Sequence, residues 1–159
     1  MNRNQGFTIM ELLVVIGVVA ILSSIAVPPY INWRSSTNFK DAVSLFRGDL
    51  EMAKSHAIKR NGSVDILISA NGYSIFVDDG SGGGIAENWN HESGEEFLVG
   101  RDLPAGVSID LVKTTLDNDR TRFNGRGWIG NPGKVTFHNN NGDEKVVNME
   151  NRFGRITSN

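Results

Sequence analysis

The pattern of apolar and polar positions divides the chain into three stretches. From Ile9 to Val27 the 19 residues are apolar apart from Glu11, Gly17, Ser23 and Ser24, and no charge lies between Glu11 and Arg34. Coiled as a helix, this stretch is about 28 Å long, close to the hydrocarbon thickness of a bilayer. It is apolar all round, so its partner must be lipid or sister helices rather than a sheet on one side. Next, Phe39, Ala42, Val43, Phe46, Leu50, Ala53 and Ala57 recur at steps of three or four, with Lys40, Asp41, Arg47, Asp49, Glu51, Lys54 and Lys59 between them. That is one apolar stripe on a polar helix, suited to packing on the chain's own sheet. Lys59-Arg60 followed by Asn61-Gly62 reads as its last turn and C-cap. Joined, the two stretches predict a helix from about Phe7 to Arg60, roughly 80 Å long. The pair Pro28-Pro29 inside it removes helical N–H donors and is expected to bend or locally melt it.

Beyond Gly62 the period changes to two. Residues 63–69 and 73–77 flank Ala70-Asn71-Gly72, a predicted hairpin with an Asn-Gly turn. Residues 78–84 (DDGSGGG) read as a flexible loop. Short strands are predicted at 97–100 and 107–111, and another starting at Arg122-Phe123. Residues 134–138 and 145–149 flank 139–143 (NNNGD) as a second hairpin, and 153–156 is a last strand.

Composition adds exclusions. The chain's 159 residues have room for one domain plus an appendage, and its net charge of −2 does not make it a polyanion binder by bulk charge. Without Cys it has no disulfide, thiolate nucleophile or cysteine metal site, so any exported part must stand on its own core. Charge is nevertheless polarised. Residues 34–119 carry 8 basic and 14 acidic residues, whereas residues 120–159 carry 7 basic and 3 acidic. The basic end is able to meet phosphates; the plainer reading is a surface that pairs with acidic neighbours. His56, His91 and His138 are scattered with no HExxH, and Gly80-Ser81-Gly82 is not a nucleophile elbow. Asp78, Asp79, Asp117 and Asp119 offer hard oxygen ligands suited to Ca²⁺ but lack DxDxG spacing, and solvated turns are the plainer account. Trp89 and Trp128 are either interface anchors or sheet-edge residues. No P-loop, cofactor motif or resident metal site is present, and the expectation is a non-enzyme.

The N-terminus admits three readings. Arg3 followed by residues 12–22 and a small-residue site near Ser24-Ile25-Ala26 fits a cleaved secretory signal. A plain signal anchor is the second. Glu11 argues against both, since a carboxylate at the edge of a membrane span needs a partner that neither supplies. The third follows from Gly6-Phe7-Thr8-Ile9-Met10-Glu11-Leu12, which resembles the leader junction of type IV pilins and type II secretion pseudopilins. The resemblance implies cleavage after Gly6 by a prepilin peptidase, N-methylation of Phe7, and pairing of Glu11 with the N-terminal amine of a neighbouring subunit. Pro28, with the less usual Pro29, sits where such helices commonly kink.

Toward the C-terminus, Phe123-xxx-Gly127, Gly133-x-Val135-x-Phe137 and Gly154-Arg155-Ile156 resemble the GspH/FimT family of minor pseudopilins and minor pilins. That likeness implies an α+β fold, a long N-terminal helix on an antiparallel β-sandwich or double sheet. Its parts would be a leader (1–6), a transmembrane and filament-core helix (7–29), an amphipathic half (30–61) and a periplasmic or extracellular domain (62–159). Implied partners are other pilin or pseudopilin subunits, the prepilin peptidase, an inner-membrane assembly platform with its cytoplasmic ATPase, and membrane lipid before assembly. Arg3 places the N-terminus in the cytoplasm, so the chain is expected to cross the inner membrane once, with its C-terminal domain periplasmic, and then to join a periplasmic or extracellular filament. Some members bind DNA through a C-terminal Gly-Arg-x-Arg, which makes Arg152 and Arg155 candidate phosphate contacts, although Thr157 leaves the motif incomplete. The main expectation is a minor pseudopilin of a type II secretion system. A FimT-like minor type IV pilin for pilus biogenesis, adhesion or DNA uptake, and a soluble secreted binding domain, are the alternatives.

Overall fold

The computed structural model describes residues 7–150 and 154–158. One helix, α1 (Ile9–Arg60), runs the length of the molecule. It continues unbroken through Pro28 and Pro29, so the expected melting is absent. Two consecutive prolines remove only the bonds to the Ser24 and Ile25 carbonyls, and intact turns on either side hold the path. The helix ends as its sequence implied. Asn61 adopts the left-handed conformation (φ 51°, ψ 39°), and the Asn61 and Gly62 amides donate back to Ile58 and Ala57.

Eight strands follow: β1 (Val64–Ser69), β2 (Gly72–Val77), β3 (Phe97–Asp102), β4 (Val107–Ile109), β5 (Arg120–Phe123), β6 (Gly133–Asn139), β7 (Glu144–Glu150) and β8 (Arg155–Ser158). They form two four-stranded antiparallel sheets, ordered β3-β2-β1-β5 and β4-β6-β7-β8. Two expectations need correction. The β1–β2 turn is Ala70-Asn71, because Ser69 already pairs with Gly72. Gly72 instead permits the close approach of β3, since a Cβ there would lie 2.3 Å from the Arg101 carbonyl oxygen. The strand near Arg122 ends at Phe123 rather than starting there, because Asn124 Oδ1 takes the Arg126 and Trp128 amides and turns the chain. The 139–143 hairpin is found, tied by Asn139 Oδ1, which accepts from the amides of Asn141 and Asp143.

The core lies where α1 meets both sheets. All seven stripe residues, from Phe39 to Ala57, are buried. Phe46 is central: its ring meets Tyr73 of the first sheet at 4.8 Å and Phe137 of the second at 5.2 Å. Alternation does the rest. Val64, Ile66 and Ile68 with Tyr73, Ile75 and Val77 face inward from one sheet, and Val135, Phe137, Val147 and Met149 from the other.

Candidate functional site

The candidate site is the half of α1 that the domain leaves uncovered. Its large apolar side chains from Phe7 to Val27 are 49–81 % exposed. None of the apolar 18-residue window is buried within the chain. Gly17 faces open space, which would let a neighbouring backbone approach closely. Ser24 satisfies its own hydroxyl by donating to the Ile21 carbonyl at 2.7 Å, so it places no unpaired donor on this surface.

At the tip, Thr8 is the N-cap. Its backbone is extended (φ −85°, ψ 150°), and its hydroxyl accepts the Glu11 amide at 3.2 Å. Thr8 and Glu11 therefore stand at the two positions of a capping box, a spacing that is readable in the sequence. Glu11 has two consequences. Its charge sits in the first turn, where the helix dipole favours it, and its carboxylate is exposed to a partner from outside the chain. Phe7 is 81 % exposed. Gly6, and with it the bond proposed for cleavage, lies outside the described residues.

The covered half of α1 is pinned by polar contacts that are invisible as motifs. Asp49 falls beside the stripe rather than in solvent, accepting from the Tyr73 hydroxyl at 2.7 Å and from the Arg101 guanidinium. Burial and this carboxylate push the Tyr73 hydroxyl above its ordinary pKa. Lys54 Nζ donates to the Gly154 carbonyl at 2.8 Å. Gly154 (φ +64°) comes so close to the 124–128 turn that a Cβ would lie 2.4 Å from the Gly127 carbonyl oxygen. Gly127 and Gly154, two of the three glycines of the C-terminal likeness, thus let β8, this turn and the helix meet.

Loop 78–96 is not the open tether expected of a Gly-rich stretch. Asp78 is fully buried on the outer face of the first sheet. Arg122 forks onto Asp65 at 2.6 and 2.6 Å and reaches Asp78 at 2.8 Å, while Asp78 also accepts the Trp89 amide. Trp89 lies over the guanidinium groups of Arg120 and Arg122, at 4.5 and 4.1 Å. Glu92 takes the Ile85 amide and Glu95 the Gly80 and Glu92 amides. Burial pushes the Asp65 carboxyl up to about 7; Arg122 opposes this rise and Asp78 adds to it. Burial also opposes the Arg122 charge, but its carboxylate partners outweigh that, and its pKa is raised. Asp78 Oδ1 is buried with no donor among the described residues.

The other candidates lie elsewhere on the domain. Asp78 is occupied by Arg122, Asp79 accepts the Ser81 amide, and Asp117 and Asp119 lie in a separate single turn. Among the described residues no group of three or more acidic, His or Cys side chains is arranged to hold a metal. The basic excess of the C-terminal segment is not one surface: Arg122 is buried in ion pairs, Arg120 is stacked on Trp89, and Arg126 lies 5.4 Å from the Trp128 ring. Arg155 is exposed, and Arg152 lies outside the described residues. Trp89 and Trp128 are both half-buried. His91 stacks against Phe76 and Phe97, and His138 bonds Ser108 at 2.9 Å.

Comparison with known proteins agrees with this division. The family model of the type II transport protein GspH matches residues 42–151, and the prokaryotic N-terminal methylation motif matches residues 1–27. The pilin-like protein PilA1 of Thermus thermophilus is 30 % identical over 139 residues, 84 % of each chain. The fold is shared with the minor pseudopilin EpsH of the Vibrio cholerae type 2 secretion system (TM-score 0.58, 12 % identity, 77 % of this chain and 96 % of that one). It is shared equally with the type IV minor pilin FimU of Pseudomonas aeruginosa (TM-score 0.57, 15 % identity, 80 % and 92 %). A stripe that holds a two-sheet domain, a bare apolar half and a methylation motif at its start together place this chain in the GspH family of pseudopilins.

Proposed function

We propose that this chain is a minor pseudopilin held in the inner membrane by the exposed half of α1 and then drawn, by that same half, into a filament of pilin-like subunits. The carrying observation is that the apolar half is wholly uncovered and bears a lone carboxylate in its first turn. Cleavage after Gly6 creates an ammonium at Phe7, four residues from Glu11. In the low-dielectric shaft of a filament, Glu11 pairs with the amine of a neighbouring subunit, because either charge left alone there is strongly disfavoured. Apolar surface moves from one dry environment to another, so transfer has little hydrophobic driving force. Packing of small and branched residues, with the Glu11 pairing, sets docking and register. The domain stays outside the membrane, the peptidase processes the precursor, and an assembly platform with a cytoplasmic ATPase supplies the work.

Mass spectrometry of the mature N-terminus tests this reading. Methylated Phe7 is the expected start; a start at Val27 would mean a secreted soluble domain instead. A second reading, a minor type IV pilin, is favoured by the equal likeness to FimU and by the pilin-like relative. Deleting the chain should impair protein secretion under the first reading, and pilus formation or DNA uptake under the second.

A further inference from the structure

Between the apolar span and the domain, α1 has a neck that the other described residues do not cover. Tyr30 and Trp33 are 59 % and 64 % exposed, and residues 28–34 precede the first stripe residue that the domain buries, Phe39. The two rings pair with centroids 6.0 Å apart and planes tilted by 40°. Arg34 follows at once and is the first charge after Glu11. We propose that Tyr30, Trp33 and Arg34 form a collar that seats the unassembled subunit in the headgroup layer of the outer leaflet of the membrane, an inference that rests on the membrane-held reading above.

Height carries the proposal. If the hydrocarbon span ends near Val27, Tyr30 lies about 4.5 Å and Trp33 about 9 Å farther along the helix. A bilayer adds about 5 to 8 Å of polar layer on each side of its hydrocarbon. Helical Cα–Cβ bonds tilt toward the N-terminus, so both rings reach back toward the span from their own backbone positions. The rings therefore fall in the layer where an aromatic body is shielded and its N–H or O–H stays wet. Arg34 extends its aliphatic stem over the same layer and its guanidinium toward lipid phosphate. Phe39 stands about 18 Å beyond Val27. The collar thus fixes how far the domain is held above the lipid before extraction.

The test uses the processed full-length protein in vesicles of phosphatidylethanolamine and phosphatidylglycerol carrying lipids brominated at known depths. Subtracting the emission of Trp33→Phe isolates Trp33 from Trp89 and Trp128. The expected Trp33 signal is blue-shifted and is quenched several-fold more by shallow than by deep bromines. A water-like Trp33 spectrum, unquenched at every depth while the protein floats with the vesicles, overturns the collar but leaves the membrane anchor standing. Blue-shifted emission that ignores the bromines and follows protein density overturns it in favour of a second copy. Failure of the protein to float with vesicles would sink the collar and the membrane-held reading together.

Discussion

The two halves of α1 have the same backbone and opposite surroundings. From Phe39 to Ala57 an apolar stripe disappears into two sheets, and Phe46 and Leu50 have no exposed surface at all. From Phe7 to Val27 the helix is apolar on every side, and nothing among the described residues covers it. A stripe with a polar back is the pattern of a helix whose partner is already present. An all-round apolar surface is the pattern of a helix whose partner arrives from elsewhere, whether lipid or another subunit. One rod thus divides labour: one end makes the domain and the other makes the polymer.

This division is best broken by truncating a side chain in each half. Phe46→Ala removes the ring that joins both sheets to α1 and should lower domain stability by about 3 to 5 kcal/mol, read by denaturant unfolding of the full chain in detergent. Ile16→Ala, in the bare half, should leave that stability within about 0.5 kcal/mol while reducing recovery in filaments. Equal losses from both would mean that the halves are one folding unit. Glu11→Ala should leave cleavage largely intact and the domain unchanged but cut incorporation by at least about tenfold, because the neighbour's amine is left unpaired in the shaft. Normal incorporation would remove the role given to Glu11.

Smaller effects sharpen the domain side. Gly154→Ala forces a Cβ against the Gly127 carbonyl and the Lys54 stem at positive φ and should cost about 1 to 3 kcal/mol of unfolding stability, with the bare half of α1 unaffected. The Asp65 carboxyl gives a pH signature. Its folded pKa, near 7, lies above its unfolded value, so its contribution favours folding below about pH 4 and is lost as pH rises through about 7. Asp65→Asn should therefore gain stability relative to the parent as pH rises across that window. A difference that does not change with pH would contradict the raised value.

Much of this was legible in the sequence, for reasons that differ by element. The stripe, both hairpins and the Asn61 cap are local patterns in which a period or a turn residue names the structure. The bare half was legible because no polar face interrupts it. Glu11 stands out by its cost at a membrane edge, and its spacing from Thr8 also marks the helix start, where the Thr8 hydroxyl accepts the Glu11 amide. What sequence spacing could not supply were pairings across the fold. Asp65 and Arg122 are neighbours only because β1 pairs with β5, and Asp49 reaches Arg101 only through β3. For the same reason the 78–84 stretch read as a tether: the residues that anchor Asp78, Arg122 and Trp89, lie far along the chain or beyond a turn.

The central claim is that the bare half meets other subunits in the assembled state. A photo-cross-linking residue in place of Ile16, in filaments assembled in cells, tests it most directly. A covalent adduct between this position and another pilin-like subunit, absent when the same residue replaces buried Phe46, is the expected result. Filaments that contain the chain but give no protein adduct from position 16 would contradict it.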